Sequence, residues 1–159
     1  MIDGTKNQHQ RVLVIGSKRL EEDLRVVLNS HGYFVEHCRT RLEGMRQFRA
    51  RKQAIVILEM VVIQGFPTRL FRFFRRVRAS TVVLIAAGNQ EQAAASRYLH
   101  SGAHEILQLP LNLETLNSTM DRVSLYQQSI VRNVFLKHAI FFALLMLPIW
   151  VGLIYLTLR

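Results

Sequence analysis

Glu59 ends the run AIVILEM (residues 54–60), directly after four apolar residues, Ile55 to Leu58, that read as a buried strand. A charge in that place must be paired, exposed at the strand end, or put to use. Metal binding would need several ligands converging on one point. Of the six histidines, His100 and His104 stand four apart, but Gly102 interrupts the helix between them. Glu21, Glu22 and Asp23 open a helix and complement its dipole. The run GSKRL (16–20) has one glycine and makes a weak phosphate cradle. No nucleophile stands at a spacing that implies a base beside it. The single cysteine, Cys38, has no partner for an internal disulfide, which fits a reducing compartment and excludes a cysteine-rich metal site. The chain reads as non-enzymatic, with no metal and no cofactor.

The elements around Glu59 alternate in kind. RVLVIG (11–16) is strand-like, and the helix of residues 20–32 follows, with Leu20, Leu24, Val27 and Leu28 on one face. YFVEHC (33–38) is a second strand, and 41–52 a second helix with Leu42, Met45 and Phe48 inward. After the third strand come a helix over 68–78, a strand over 81–88, a helix over 90–102 and a strand over 105–109. A fifth helix starts near Asn112. On the third helix Leu70, Phe73, Phe74 and Val77 form the core arc, and Phe71 is the odd residue among arginines. Five strand–helix units with short links predict helices on both faces of a parallel sheet.

Two local motifs are more specific than that pattern. DLRVVLNSHGYFVEHC (23–38) resembles the first helix, Gly-Tyr turn and second strand of the receiver domain of bacterial response regulators. SGAHEILQLPL (101–111) resembles that family's Gly-Ala turn, fifth strand and proline loop. The resemblance covers residues 11 to about 128. It implies a flavodoxin-like (βα)5 fold with a parallel five-stranded sheet.

The resemblance also implies which residues should carry phosphoryl transfer, and here they are changed. Glu59 stands at the phosphoacceptor position at the end of the third strand. The metal-binding acids after the first strand are replaced by Gly16 and Ser17, with Lys18 and Arg19 following. One carboxylate seldom suffices for a hard cation. The switch hydroxyl of the fourth strand is Ala86 or Ala87, the fifth-strand aromatic is Ile106, and the lysine before the proline is Leu109. Phosphoryl transfer depends on charge neutralisation by metal and lysine. The domain is therefore expected to be a degenerate pseudo-receiver. Glu59 is expected to be a solvated strand-end carboxylate or to pair with Lys18 or Arg19. The alternative is a phosphomimetic, although phosphate carries more charge and more acceptors.

The formal net charge is +10. Residues 39–52 hold Arg39, Arg41, Arg46, Arg49, Arg51 and Lys52 against Glu43 alone, and residues 69–78 add Arg69, Arg72, Arg75, Arg76 and Arg78. In the family's fold the second and third helices are neighbours, so Arg46, Arg49, Arg69, Arg72, Arg75 and Arg76 would make one basic face. Such a face is either merely solvated or meets anionic lipid or an acidic protein. Nucleic acid is the weakest of the partners, since no nucleic-acid module is visible, and a membrane-held nucleic-acid binder is the further alternative.

Residues 139–158, AIFFALLMLPIWVGLIYLTL, carry no charge, and at about 1.5 Å per residue twenty of them span roughly the 30 Å of a bilayer core. A transmembrane helix tolerates Pro148. The other reading is a buried core helix. With only Arg159 after it, this span is expected to be a tail anchor, and the positive-inside rule places residues 1–138 in the cytoplasm. Leu113, Leu116, Met120, Val123, Ile130 and Val134 step by threes and fours, a weak coiled-coil seam with Gln127 and Lys137 as polar defects. Either the whole seam pairs two copies, or Leu113 to Val123 pack on the sheet and the rest is stalk.

The expected organisation is a flexible N-terminus (1–10) with no signal peptide, a receiver-like domain (11–128), a helical juxtamembrane stalk (129–138) and the span (139–158). The expected role is a phosphorylation-independent regulatory or scaffold protein on the cytoplasmic face of a bacterial inner membrane. It would recruit a cytoplasmic or membrane protein, with anionic lipid at the basic face and homodimers through the fifth helix and stalk as further expectations. A phosphorelay component acting through Glu59 is the competing class.

Overall fold

A computed structural model describes residues 11–65, 67–123 and 125. Five strands run through it: β1 (Arg11–Ile15), β2 (Phe34–Cys38), β3 (Ile55–Glu59), β4 (Val82–Gly88) and β5 (Glu105–Leu109). They form one sheet in the order β2-β1-β3-β4-β5, and every pair is parallel. Four helices link them: α1 (Lys18–Ser30), α2 (Arg41–Arg51), α3 (Pro67–Val77) and α4 (Gln92–Ser101). A helical turn, Met60–Ile63, follows β3, and a helix over 113–123, α5, follows β5. This is the flavodoxin-like doubly wound arrangement, with its switch point between β1 and β3.

The two faces of the sheet follow from the two-residue period of a strand. Val12, Val14, Ile55, Ile57, Val82 and Leu84 turn to one side, where Leu20, Leu24, Val27 and Leu28 of α1 meet Leu116, Met120 and Val123 of α5. Leu13, Ile15, Val56, Leu58, Val83 and Ile85 turn to the other, against α2, α3 and α4. Gly44 allows α2 to approach closely, since a Cβ there would lie 2.2 Å from Ile15 Cδ1.

Three packing expectations need correction. Phe71 is fully buried and lies 6.3 Å from Tyr98 of α4, while Phe73 is half-buried beside Phe48 of α2. The reason is that α3 is wedged between two helices and buries both flanks, so its apolar arc is wider than one face. Leu42 is exposed, because Gly44 and Phe48 hold the inward positions of α2. In the fifth helix Leu113 is exposed while Leu116, Met120 and Val123 are buried, so those three pack on the sheet. The N-terminus 1–10, the stalk 129–138 and the span 139–158 lie outside the described residues. Among the described residues, no helix is long and apolar enough to cross a membrane.

Candidate functional site

The carboxyl edge of a doubly wound sheet, at its switch point, is where such folds place their ligands. Here β1 delivers Gly16 and Ser17 to that edge, and β3 delivers Glu59 beside them, in the register Ile15↔Leu58. Ser17 is the N-cap of α1: extended at φ −68°, ψ 154°, its hydroxyl accepts from the Leu20 N–H at 3.4 Å. The same hydroxyl donates to Glu59 Oε1 at 3.0 Å, and the Ser17 N–H donates to Glu59 Oε2 at 2.5 Å. One hydroxyl proton and two lone pairs permit this double duty. The carboxylate thus sits at a helix N-terminus, where backbone N–H groups and the helix dipole favour negative charge.

Gly16 makes the contact sterically feasible. A Cβ on it would fall 2.5 Å from Glu59 Oε2 and 2.6 Å from Glu59 Cβ. Its N–H donates to the Cys38 carbonyl at 3.0 Å, and its own carbonyl accepts from His37 Nε2 at 2.9 Å, which makes that ring nitrogen the protonated one. Glycine, serine and glutamate form a clasp across the switch point, backed by β2.

Glu59 is therefore neither free in solvent nor paired with Lys18 or Arg19, as the sequence had suggested. Lys18 instead meets Glu22, at 3.5 Å. The clasp is favoured because the glutamate is one methylene longer than aspartate and reaches the backbone of the facing loop. The neighbour of Glu59 on β4 is Ala86, a methyl, and Ala87 faces the opposite core. Leu109 packs against the α1–α5 core, and Ile106 against the other side. The Leu109–Pro110 bond is cis. Among the described residues no group of three or more His, Cys, Asp or Glu side chains is placed to hold a metal ion.

The expected basic residues are exposed, but they do not all share one face. Arg49 lies over the Phe73 ring, 5.5 Å from its centroid, and Arg46, Arg49, Met45, Ala50 and Phe73 line an open groove of about 290 Å³. Arg69 and Arg76 are spaced four and three residues from Phe73 and belong to that stripe. Arg72 turns back to the Thr68 carbonyl at 3.4 Å. Arg75 reaches the Gly102 carbonyl at the end of α4, also at 3.4 Å, and so lies on the other flank of α3.

Ser17 stands in the sequence only as a replacement for a metal-binding acid, although a serine immediately before a helical run is an N-cap signature, and His37 carried no signal. Glu36 also carried none; it sits inside β2 and is buried. It accepts from Arg51, from Gln47 at 3.0 Å and from Gln53 at 2.5 Å, with Arg11 at 3.5 Å. Burial pushes its carboxyl upward, but the hydrogen bonds of Gln53, Gln47 and Arg51 and the charge of Arg51 outweigh that and hold it below the usual range.

No protein-family model matches this sequence, and no curated protein does. Solved structures do match its fold. A response regulator receiver domain protein from Clostridium thermocellum aligns at 20% identity and a TM-score of 0.66, over 76% of this chain and 98% of that one. NtrX from Brucella abortus, solved with ADP, aligns at 15% identity and 0.69, over 80% of this chain but 29% of its own. An adenylate cyclase structure from Rhodopirellula baltica aligns at 16% identity and 0.65, over 81% and 98%. Likeness at such identities shows the receiver fold and nothing finer.

Proposed function

We propose that this chain is a phosphorylation-independent, receiver-like regulatory or scaffold protein that recruits a protein partner at the cytoplasmic face of a bacterial inner membrane. The observation that carries the first half is the clasp of Glu59 with Ser17 over Gly16. The place where this fold receives its ligand is filled by the protein's own carboxylate. Phosphoryl transfer needs cationic groups aimed at the developing charge, and the β4 and β5 ends supply Ala86, Ala87 and Leu109 instead. The membrane half rests on the uncharged run 139–158, whose length matches a bilayer core. Recruitment then works by raising local concentration beside a tethered surface. The groove between Arg46, Arg49 and Phe73 suits an acidic segment with an apolar anchor.

The test is incubation of the full chain with a radiolabelled small phosphodonor and Mg²⁺. Neither the native chain nor Glu59→Asp should hold phosphate, because restoring the acceptor restores neither the acidic loop nor the lysine. Incorporation into the native chain that disappears in Glu59→Gln would overturn the reading. The same clasp favours a second reading, in which Glu59 holds one signalling state permanently. That reading requires Glu59→Gln and Ser17→Ala to change partner binding while the fold persists.

A further inference from the structure

Opposite the clasp, at the amino edge of the sheet, strands begin and helices end. Helix starts hold both signs, Lys18, Arg19, Arg41 and Arg69 beside Glu21, Glu22, Glu43 and Glu91, whereas the last turns of α2 and α3 carry Arg49, Arg51, Arg75 and Arg76 and no acid. Helix dipoles favour cations at those ends, and the amino edge is left with a positive excess. Arg11 opens β1 there, and Arg78 donates to the Lys52 carbonyl at 2.6 Å, joining the ends of α2 and α3. Arg122, in the last described turn of α5, pairs with Glu105, the first residue of β5.

Two details make this edge more than a by-product of helix polarity. Glu36, the acid shared by Arg11 and Arg51, is sunk to 3% side-chain exposure, while the two arginine side chains stay 52% and 50% exposed. The anion is inside and the cations face water. Lys52 caps α2 in the left-handed region at φ 50°, a position that glycine fills without strain. A lysine held there places one more ammonium at the edge.

We propose that this amino edge, through Arg11, Arg51, Lys52, Arg78 and Arg122, docks on the anionic headgroups of a bilayer. The patch is a spread of separate cations at strand starts and helix ends, whereas the groove that would suit a peptide's apolar anchor lies elsewhere, beside Phe73. A plane of phosphates answers such a spread, and a peptide does not. The last described turn of α5 also lies at this edge, where Arg122 meets Glu105 at the start of β5, and in the sequence the uncharged run begins sixteen residues after Val123. The inference rests on the reading of 139–158 as a span. Edge-down docking would leave both the carboxyl edge and the Phe73 groove open to a partner.

The test uses the full chain reconstituted in phosphatidylcholine vesicles, with or without about one-third phosphatidylglycerol. Flotation with the phosphatidylcholine vesicles at high salt tests the span alone. Docking is then read from a fluorophore at Ala79→Cys, on the amino edge, or at Gln90→Cys, on the carboxyl edge, quenched by a headgroup-bound acceptor. Cys38 does not compete for label, since burial, with the charges of Glu43 and Glu36, pushes its thiol up to about 11. Quenching should rise at Ala79→Cys only, only with phosphatidylglycerol, and fall as salt screens the contacts. Each charge lost should cost about fivefold, so Arg11→Gln with Lys52→Gly should reduce the docked population ratio about 25-fold. Lys52→Gly relieves the left-handed residue, so an unchanged or higher melting temperature separates docking from folding. Equal quenching at both positions, or equal loss in the helix-face control Arg46→Gln with Arg49→Gln, would overturn the proposal. Failure to float with normal quenching by added anionic vesicles would remove the span and leave the edge standing.

Discussion

Gly16 and Glu59 are matched by shape as well as by charge. A methyl at residue 16 would meet both the carboxylate and the Cβ of Glu59, so neither a rotamer change nor a small shift of the side-chain tip relieves it. Overpacking of this kind costs about 1–3 kcal/mol. Gly16→Ala should therefore lower the melting temperature by several degrees, read by circular dichroism, and an unchanged midpoint would mean that the clasp is loose. Glu59 was legible in the sequence as an acid closing an apolar strand. Its partner was not, because Ser17 lies forty-two residues away and meets it only through the register of β1 with β3. A serine before a helical run is readable as an N-cap, and the hydroxyl that accepts from Leu20 also donates one of the two hydrogen bonds to Glu59.

At the scale of elements, strands and helices follow the periodicity closely, and the misreadings share one cause. The apolar arc of α3 was drawn for a helix lying on a sheet, yet Phe71 and Phe73 reach opposite neighbours, α4 and α2. A single sequence shows which residues want burial and not how many partners a helix has. Glu36 is illegible for the same reason, since its donors come from α2, from β1 and from the loop before β3. That cluster ties the edge strand β2 to the rest of the domain, and it predicts an acid limb. A carboxyl held below its ordinary value, about 4.3 for glutamate, binds fewer protons folded than unfolded. Its contribution is complete above that value and is lost as pH falls through the lower, folded one. Chemical unfolding midpoints measured below about pH 4.3 should fall with acid, and the slope should be shallower in Glu36→Gln. The half-exposed side chains of Arg11 and Arg51 keep the effect modest, because solvent screens them. Identical slopes in both proteins would place the acid limb elsewhere.

Over the whole molecule, the deciding contrast is between a strongly basic domain and an uncharged run of twenty residues beyond it. A buried core helix would need a partner surface for every side of such a run. A bilayer asks for no such surface. It asks for length and for the absence of charge, and 139–158 has both. The two environments differ in how they answer a single charge placed near the middle of the run. Arginine at the centre of a membrane helix costs about 2.5–3.5 kcal/mol on the insertion scale, roughly a hundredfold in partition. A helix packed on a soluble domain has one side turned to water, where arginine costs little. Leu147→Arg in the full chain should therefore move protein from the carbonate-resistant membrane fraction to the soluble one, with the circular dichroism of the α/β domain unchanged. The conservative Leu147→Ile should stay in the membrane. Native chain and Leu147→Arg partitioning alike, both in the soluble fraction, would mean that the run is not a span and that the domain is not tethered by it.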